Sequence, residues 1–161
     1  MCYNDPKGMK AKTRIYLDTS VYNRPFDDQN QAKIRLETEV FLSILEKVIS
    51  GSLIVVSSSV LLYENSYNPF YDRRERVASY LSVASKTIRL TEAIKERAKE
   101  MENAGIDSID ALHLACAESN ADFFITCDAG IIRKVKRKSG MFKIEVCSPL
   151  EFALKEVFRS A

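Results

Sequence analysis

Four acidic residues stand where a folded sheet could bring them together: Asp18, Glu64, Asp110 and Asp128. Asp18 and Asp128 each follow directly on a short apolar run. Glu64 lies one short predicted helix beyond another such run, and Asp110 falls in the first turn of a predicted helix. Four negative charges repel one another unless a cation neutralises them. Carboxylate oxygens favour a hard ion, so the set predicts a site for Mg²⁺ or Mn²⁺ rather than zinc.

A divalent ion held by these acids would support hydrolysis of a phosphodiester. Such an ion keeps several waters, lowers the pKa of one of them, and offsets the charge that develops on the phosphate. Thr19, Ser20 and Thr126 lie beside the acids in the sequence and could position water or phosphate. The predicted reaction is therefore the metal-dependent cleavage of nucleic acid.

Each acid also has a simpler interpretation. Asp18 could be only a turn residue that ends a strand. Glu37 is an alternative to Glu64 as the second ligand, although the position of Glu64 just after a strand favours it. His113 is the only histidine. It is predicted to be a partly buried helix residue, because a metal-bound water needs no imidazole base.

Asp107 and Asp110 lie three residues apart at the start of one predicted helix and are assigned different roles. Asp107 occupies the N-cap position, where its side chain is expected to accept hydrogen bonds from exposed backbone N–H groups. Asp110 could complete a capping box, but we expect it to be a metal ligand. Mutation of Asp107 to Ala would then cost about 1 kcal/mol of stability.

Basic and aromatic residues outside the acidic set could bind a nucleic acid. The net charge is only +2, so the argument depends on local clusters rather than on overall balance. Two clusters are present, and they comprise Arg133, Lys134, Lys136, Arg137 and Lys138 in one and Arg73, Arg74 and Arg76 in the other. For the first cluster, a solvated helix face whose cations offset the helix dipole is the default interpretation, and RNA binding is the other. Tyr22, Tyr67 and Tyr71 could stack on bases, although packing is the favoured role.

The elements that position these residues alternate between strands and helices. Apolar β-prone runs predict strands at 14–17, 53–56, 123–126 and 142–146. Periodicity and capping signals predict helices at 31–50, 70–84, 91–104, 107–119, 129–137 and 149–158, with a short helix carrying Glu64 after the serines at 57–59. Unbroken apolar strands are typical of a sheet covered on both faces. The predicted fold is a three-layer α/β/α domain with a mostly parallel central sheet, whose ligands bind at the carboxyl ends of the strands.

The size and composition of the chain fit one such domain. With 161 residues and a 46% hydrophobic fraction, the chain has material for one packed core. We expect a single domain over 13–161 and interpret 1–12 as a flexible leader or a cloning remnant. No apolar stretch suits a membrane span or a signal peptide, which predicts a cytoplasmic protein without a membrane partner. The four cysteines form no C-x-x-C pair and are expected to be reduced thiols.

The motifs that surround the four acids resemble those of the PIN-domain family, which includes nuclease toxins of the VapC type and several RNA-processing nucleases. The resemblance is carried, in the family's order, by Ile15-Tyr16-Leu17-Asp18-Thr19-Ser20, by 56–64, by Asp110-Ala111-Leu112-His113-Leu114-Ala115 and by Ile125-Thr126-Cys127-Asp128. It implies metal-dependent cleavage of single-stranded RNA, frequent homodimerisation and, in toxin members, a cognate antitoxin that blocks the site.

The function expected from this reasoning is that of an endoribonuclease, either a toxin or a housekeeping processing enzyme. A phosphomonoesterase of the haloacid-dehalogenase type would need Asp-x-Asp after the first strand, whereas Asp18 is followed by Thr19 and Ser20. A non-catalytic RNA- or protein-binding module of the same fold is the remaining alternative. The presence of all four acids argues against it.

Overall fold

The computed structural model describes the backbone of residues 11–160 and the side chains as far as residue 156. Residues 1–10, most of the predicted leader, lie outside the described residues. The five strands are β1 (Arg14–Leu17), β2 (Ile54–Ser58), β3 (Lys86–Ile88), β4 (Phe123–Ile125) and β5 (Glu145–Cys147). The helices are α1 (Thr19–Asn23), α2 (Ala32–Ile49), α3 (Ser59–Ser66), α4 (Tyr71–Leu81), α5 (Glu92–Asn103), α6 (Ser108–Glu118), α7 (Ala129–Arg137) and α8 (Pro149–Ser160), with a 3₁₀ turn at Arg24–Phe26.

The strands form one parallel sheet in the order β3-β2-β1-β4-β5. The chain moves outward from β1 in one direction through β2 and β3, then returns to the other side of β1 for β4 and β5. The direction therefore reverses between β1 and β4. In open parallel sheets, ligands bind beyond the carboxyl ends of the strands at such a reversal. The ends of β1 and β4 carry Asp18 and Asp128.

Helices cover both faces of the sheet. Phe123 and Phe124 are neighbours on β4, so their side chains point to opposite faces. Phe123 packs on Phe152 of α8, whereas Phe124 stacks on Tyr16, whose ring also contacts His113 of α6. Helices α6 and α8 thus lie on opposite faces, and α2 packs beside α8. This architecture confirms the predicted three-layer α/β/α fold with a parallel sheet.

The edge strand β3 was not predicted. Two of its three residues, Lys86 and Thr87, are exposed, and only Ile88 is buried. A three-residue polar edge strand lacks the apolar run by which strands are recognised in sequence. No strand was predicted between the helices at 70–84 and 91–104, which is wrong. The first of these helices, α4, begins at Tyr71, one residue after its predicted start.

Two further local predictions differ from the structure. Asp18-Thr19-Ser20 was expected to open a turn, but Thr19 begins α1 and Asp18 is its N-cap. Asp107 does occupy the N-cap of α6, yet its side chain makes no capping hydrogen bond. The helix ends at Gly51 and Gly105 were predicted correctly, and both glycines have positive φ, 84° and 102°. No helix within 11–160 is long and apolar enough to cross a bilayer.

Candidate active site

Asp18 is fixed at the reversal point of the sheet by hydrogen bonds from both sides. Its backbone N–H donates to the carbonyl of Ile125 at 2.9 Å, which extends the pairing of β1 with β4 by one residue. Its carboxylate accepts from Thr19 N (2.9 Å), Ser20 Oγ (3.0 Å) and Thr126 Oγ1 (2.8 Å), and only 5% of the residue is exposed. The three predicted supporting residues therefore all contact Asp18, and together they hold its carboxylate in one orientation.

Glu64 reaches the same rim from α3. Ser58 begins this helix by accepting a hydrogen bond from Leu61 N at its side chain, as the serine run predicted. Oε1 of Glu64 accepts from Thr19 Oγ1 at 2.7 Å and forms a short hydrogen bond with Nε2 of His113. Burial acts to raise the pKa of Glu64, but attraction to His113 and the hydrogen bonds from His113 and Thr19 outweigh it and lower the pKa. Glu64 is thus held as an anion.

His113 is a positioning residue that was not assigned to the site from sequence. It is 1% exposed, and both ring nitrogens are used: Nε2 contacts Glu64, and Nδ1 pairs with the Tyr16 hydroxyl at 2.6 Å. Tyr16 pairs in turn with Ser58 Oγ at 2.6 Å. Nε2 also lies 4.0 Å from Oδ1 of Asp18. The spacing of His113 three residues after Asp110 was the one signal in the sequence, because it places the two on neighbouring turns of a helix.

Asp110 carries the electrostatic signature of a crowded acidic site. It lies half-buried in the first turn of α6. Burial, followed by the charges of Asp18 and Asp128, raises its pKa to about 6, while His113 opposes the shift. The charges of Asp18 and Asp128 therefore both act on Asp110 in a partly desolvated region. A cation in that region would remove the repulsion.

Asp128 follows β4 and caps α7. Its Oδ1 accepts from Gly130 N at 2.8 Å and Ile131 N at 3.4 Å, and its own N–H donates to Thr126 Oγ1. A Cβ on Gly130 would lie 3.0 Å from that oxygen, so the absence of a side chain there lets the carboxylate approach the helix end. Asp128 is exposed, unlike Asp18.

The donor set fits a hard divalent cation in chemistry, because it consists of carboxylate oxygens and because Asp110 experiences uncompensated negative charge. The side chains are not yet arranged as ligands. Among the described residues, no three His, Cys, Asp or Glu side chains converge closely enough to hold one ion. The reason lies in the contacts above: Asp18, Glu64 and Asp128 each direct oxygens to protein donors.

Glu37, the alternative second ligand, lies in a different environment. It is 1% exposed on α2, and Arg24 donates to its Oε1 through both Nη2 (2.8 Å) and Nε (3.3 Å). A buried carboxylate paired with a guanidinium already has its countercharge. Burial raises the pKa of the neighbouring Cys127 to about 12, and Glu37 adds to this shift. The cysteines of the described residues, Cys116, Cys127 and Cys147, are unpaired thiols, as predicted.

The two basic clusters differ in solvent exposure. The exposed cluster on and just after α7 comprises Arg133, Lys134, Lys136, Arg137 and Lys138. Of these, Lys134 lies 3.8 Å from Asp107 at the start of α6, and Lys136 lies 3.7 Å from Glu151 of α8. Arg73 and Arg74 are instead partly buried, Arg73 in contact with the 3₁₀ turn and Arg74 in contact with the α3–α4 loop. Arg73 donates to the Phe26 carbonyl at 2.8 Å, and Arg74 donates to the Asn68 carbonyl at 3.0 Å.

These features define a three-layer α/β protein with an acidic cluster at the reversal point of a parallel sheet. A sequence model of the PIN domain matches residues 15–138, which include the four acids. The chain belongs to the PIN-domain family. A sequence comparison with curated proteins finds no match.

Two solved structures share the fold. The structure of VapBC2 from Rickettsia felis, bound to a DNA fragment from its promoter, aligns with a TM-score of 0.56 and 17% identity over 84% of this chain and 98% of the matched chain. FitAcB from Neisseria gonorrhoeae aligns with a TM-score of 0.57 and 16% identity over the same shares. At these identities, the likeness is one of fold.

Proposed function

We propose that the protein is a metal-dependent endoribonuclease that cleaves single-stranded RNA. One observation carries the proposal. Asp18, Asp110 and Asp128 come from separate elements of the fold. Burial, followed by the charges of Asp18 and Asp128, raises the pKa of Asp110 to about 6. A fold gains no stability from such repulsion, so we attribute the cluster to binding a cation. Membership of the PIN family supports a nuclease over other uses of a metal.

In this proposal, Asp18, Glu64, Asp110 and Asp128 hold Mg²⁺ or Mn²⁺. The ion would supply an activated water and charge neutralisation at the phosphate. Glu64 and Asp128 would turn from their present hydrogen-bond donors towards it. Thr126 and Ser20 keep Asp18 in place, while His113 orients Glu64 through Nε2.

The exposed cations of α7 would hold the RNA backbone. Lys134 lies near the head of α6, and the other four basic side chains continue along the exposed face towards the end of α7. Opposite them, Ile131, Ile132 and Val135 bury the apolar face. Backbone contacts of this kind are independent of sequence and weaken with added salt. The proposal therefore separates a cleavage centre from a neighbouring phosphate-binding surface.

We further propose a cognate antitoxin as partner and a homodimeric, cytoplasmic protein. The antitoxin is supported by the two structural neighbours, whose names, VapBC2 and FitAcB, are those of complexes. Co-expression with the product of an adjoining small gene, followed by co-purification, tests the partner. Light scattering of the purified chain tests the dimer.

The nuclease proposal is tested by incubating labelled single-stranded RNA with metal-depleted protein, then adding Mg²⁺ or Mn²⁺. We expect endonucleolytic products only with metal and none from Asp18→Asn. Duplex RNA and single-stranded DNA serve as comparison substrates. Cleavage by Asp18→Asn at the wild-type rate would remove the proposal. Retained RNA binding without cleavage under any metal would favour the non-catalytic module instead.

A further inference from the structure

A cavity of about 240 Å³ opens directly beside the carboxylate cluster, between α1, α3 and the loop that leads to α4. Thr19 and Glu64 form part of its wall and are hydrogen-bonded to each other at 2.7 Å. The cavity therefore shares two side chains with the candidate active site. Drug-sized ligands occupy pockets of about 300–1,000 Å³, so this smaller space suits a ligand with a single ring system.

Two aromatic rings at the cavity are largely exposed to solvent. Tyr67 is 71% exposed and Phe70 is 63% exposed, although both line the cavity. Tyr67 is steadied by an edge contact with Tyr63, whose ring centroid lies 4.9 Å away. Exposed, steadied rings of this kind provide stacking platforms for unpaired bases, since every base has a π face.

Amide groups supply the polar part of the wall. Asn68 Nδ2 donates to Asn23 Oδ1 at 3.4 Å, which is at the long limit of a hydrogen bond. Asn23 Nδ2 donates to the Thr19 carbonyl at 2.9 Å and Asn68 Oδ1 accepts from Phe70 N at 3.2 Å, so each amide nitrogen keeps a second N–H for a ligand. Asn65 is 7% exposed, and while its Nδ2 donates to the Arg74 carbonyl, its Oδ1 has no hydrogen-bond partner in the described structure. A buried unpaired acceptor is costly. Amides carry both donors and acceptors, which match the edge of a nucleobase.

Arg73 brings a positive charge to the same wall. Its guanidinium lies over the rings of Phe26, at 5.2 Å from the centroid, and Phe70, at 5.4 Å. The hydrogen bond to the Phe26 carbonyl fixes it further. A guanidinium held in this way retains other N–H groups for a phosphate. The cavity thus combines rings, amides and one cation next to Glu64.

We propose that this cavity is a base-binding subsite, which takes one unpaired nucleobase of the RNA beside the scissile phosphate. The base stacks on Tyr67 and Phe70, and its edge exchanges hydrogen bonds with the amides of Asn23 and Asn68. The subsite makes cleavage depend on the base at one position of the substrate. The placement of the subsite beside a scissile phosphate rests on the proposed function, whereas the binding of a base in the cavity does not.

The first test measures binding without cleavage. Short single-stranded RNAs are titrated in EDTA at low salt, and an abasic nucleotide is placed at each position in turn. We expect removal of the base at one position to weaken wild-type binding by about tenfold, and at other positions by much less. Tyr67→Ala should weaken binding of intact RNA by a similar factor. The affinity of this variant should then no longer depend on whether the base at that position is present.

Two control variants accompany Tyr67→Ala. Tyr67→Phe keeps the ring and should retain the position dependence. Tyr71→Ala removes a ring that is equally exposed, at 65%, and adjacent in sequence but outside the cavity wall, so it should behave as wild type. Equal sensitivity at all positions, identical behaviour of Tyr67→Ala and Tyr71→Ala, or no binding of any RNA would each overturn the subsite.

The second test adds metal and maps the cut. We expect cleavage at a fixed distance from the sensitive position, with Tyr67→Ala raising KM by about tenfold and leaving kcat nearly unchanged. Position-dependent binding without cleavage would refute the proposed function and leave the subsite standing. Cleavage that ignores the identity of every base would refute the subsite and leave the nuclease standing. RNA binding unaffected by Tyr67→Ala would assign the surface to a protein partner and overturn the subsite.

Discussion

Glu37 and Glu64 are the two glutamates considered as the second ligand, and their surroundings differ in one respect. Glu37 has a completely buried side chain and a permanent cation, because Arg24 donates two N–H groups to it. The side chain of Glu64 is 30% exposed, and its partners are the Thr19 hydroxyl and the His113 ring. The first carboxylate is neutralised within the fold, whereas the second faces a cluster of further acids.

This difference separates a structural acid from an available one. The Arg24 guanidinium, which also pairs with Asp27, already supplies a countercharge to Glu37. Around Glu64, the negative charges of Asp18, Asp110 and Asp128 have no arginine or lysine among their recorded hydrogen-bond partners in the described structure. On the proposed function, an external cation would therefore bind at the rim and not at Glu37.

The largest expected effect is on catalysis at Glu64. Glu64→Gln should lower single-turnover RNA cleavage by about a thousandfold, because the side chain keeps its size but loses the charge needed at the metal. Its stability should change little, since the amide can still accept from Thr19. Cleavage assays and thermal melts of the same preparations measure both. Full cleavage by Glu64→Gln would place the second ligand elsewhere.

The reverse result is expected at Glu37. Glu37→Gln should lower the free energy of unfolding by about 2 kcal/mol, because it breaks a buried ion pair and leaves the Arg24 charge less compensated. Stabilisation by added Mg²⁺ or Mn²⁺ should persist. Glu39→Gln, an exposed acid on the same helix, is the matched control and should change stability by less than about 0.5 kcal/mol. Urea titration measures these free energies of unfolding. If added metal no longer stabilised Glu37→Gln, Glu37 rather than Glu64 would be assigned to the metal site.

A smaller effect, with a defined pH dependence, is expected at Asp110. Its pKa in the folded protein, about 6, lies above the value of about 4 in an unfolded chain. The stability associated with its protonated form is therefore present at pH 4 and lost as the pH rises through 6. Without metal, Asp110→Asn should match wild type at pH 4 and exceed it at pH 7, by on the order of 1 kcal/mol after solvent screening.

Added metal should invert this order. Mg²⁺ or Mn²⁺ should raise the melting temperature of wild type at pH 7 but not that of Asp110→Asn, which should also fail to cleave RNA. Melting curves across pH, with EDTA or with metal, provide the measurement. A variant that is less stable than wild type at pH 7 in EDTA would show that Asp110 is not under repulsion.

The smallest effect is expected at Asp107. The sequence predicted a cap worth about 1 kcal/mol, but the side chain makes no capping hydrogen bond and lies 3.8 Å from the exposed Lys134. Both Asp107→Asn and Asp107→Ala should therefore lie within about 0.5 kcal/mol of wild type and retain cleavage. Melting curves measured beside those of Asp110→Asn make the comparison direct. A cost above about 1 kcal/mol would restore the capping role.

Apolar pattern alone predicted the α/β class, the parallel sheet and the edge at which the acids lie. Runs such as Phe123-Phe124-Ile125 must be covered on both faces, and helices between strands force parallel connections. Serine and threonine caps placed α3 and α5 correctly. Strand β3 was not predicted because its exposed residues, Lys86 and Thr87, carry no apolar signal. It is a strand only through its pairing with β2.

Tertiary structure decided which polar groups contact one another. The position of Glu64 just after a strand favoured it over Glu37, but the partner of each carboxylate lies elsewhere in the sequence: Arg24 for Glu37 and His113 for Glu64. The partnership of Tyr16 with His113 spans 97 residues. The sequence likewise predicted Arg73 as a free cation, whereas in the structure its guanidinium lies over the rings of Phe26 and Phe70. The sequence determined the elements because hydrophobic burial follows the local period of the chain, whereas charge compensation acts through space and is set only once the chain has folded.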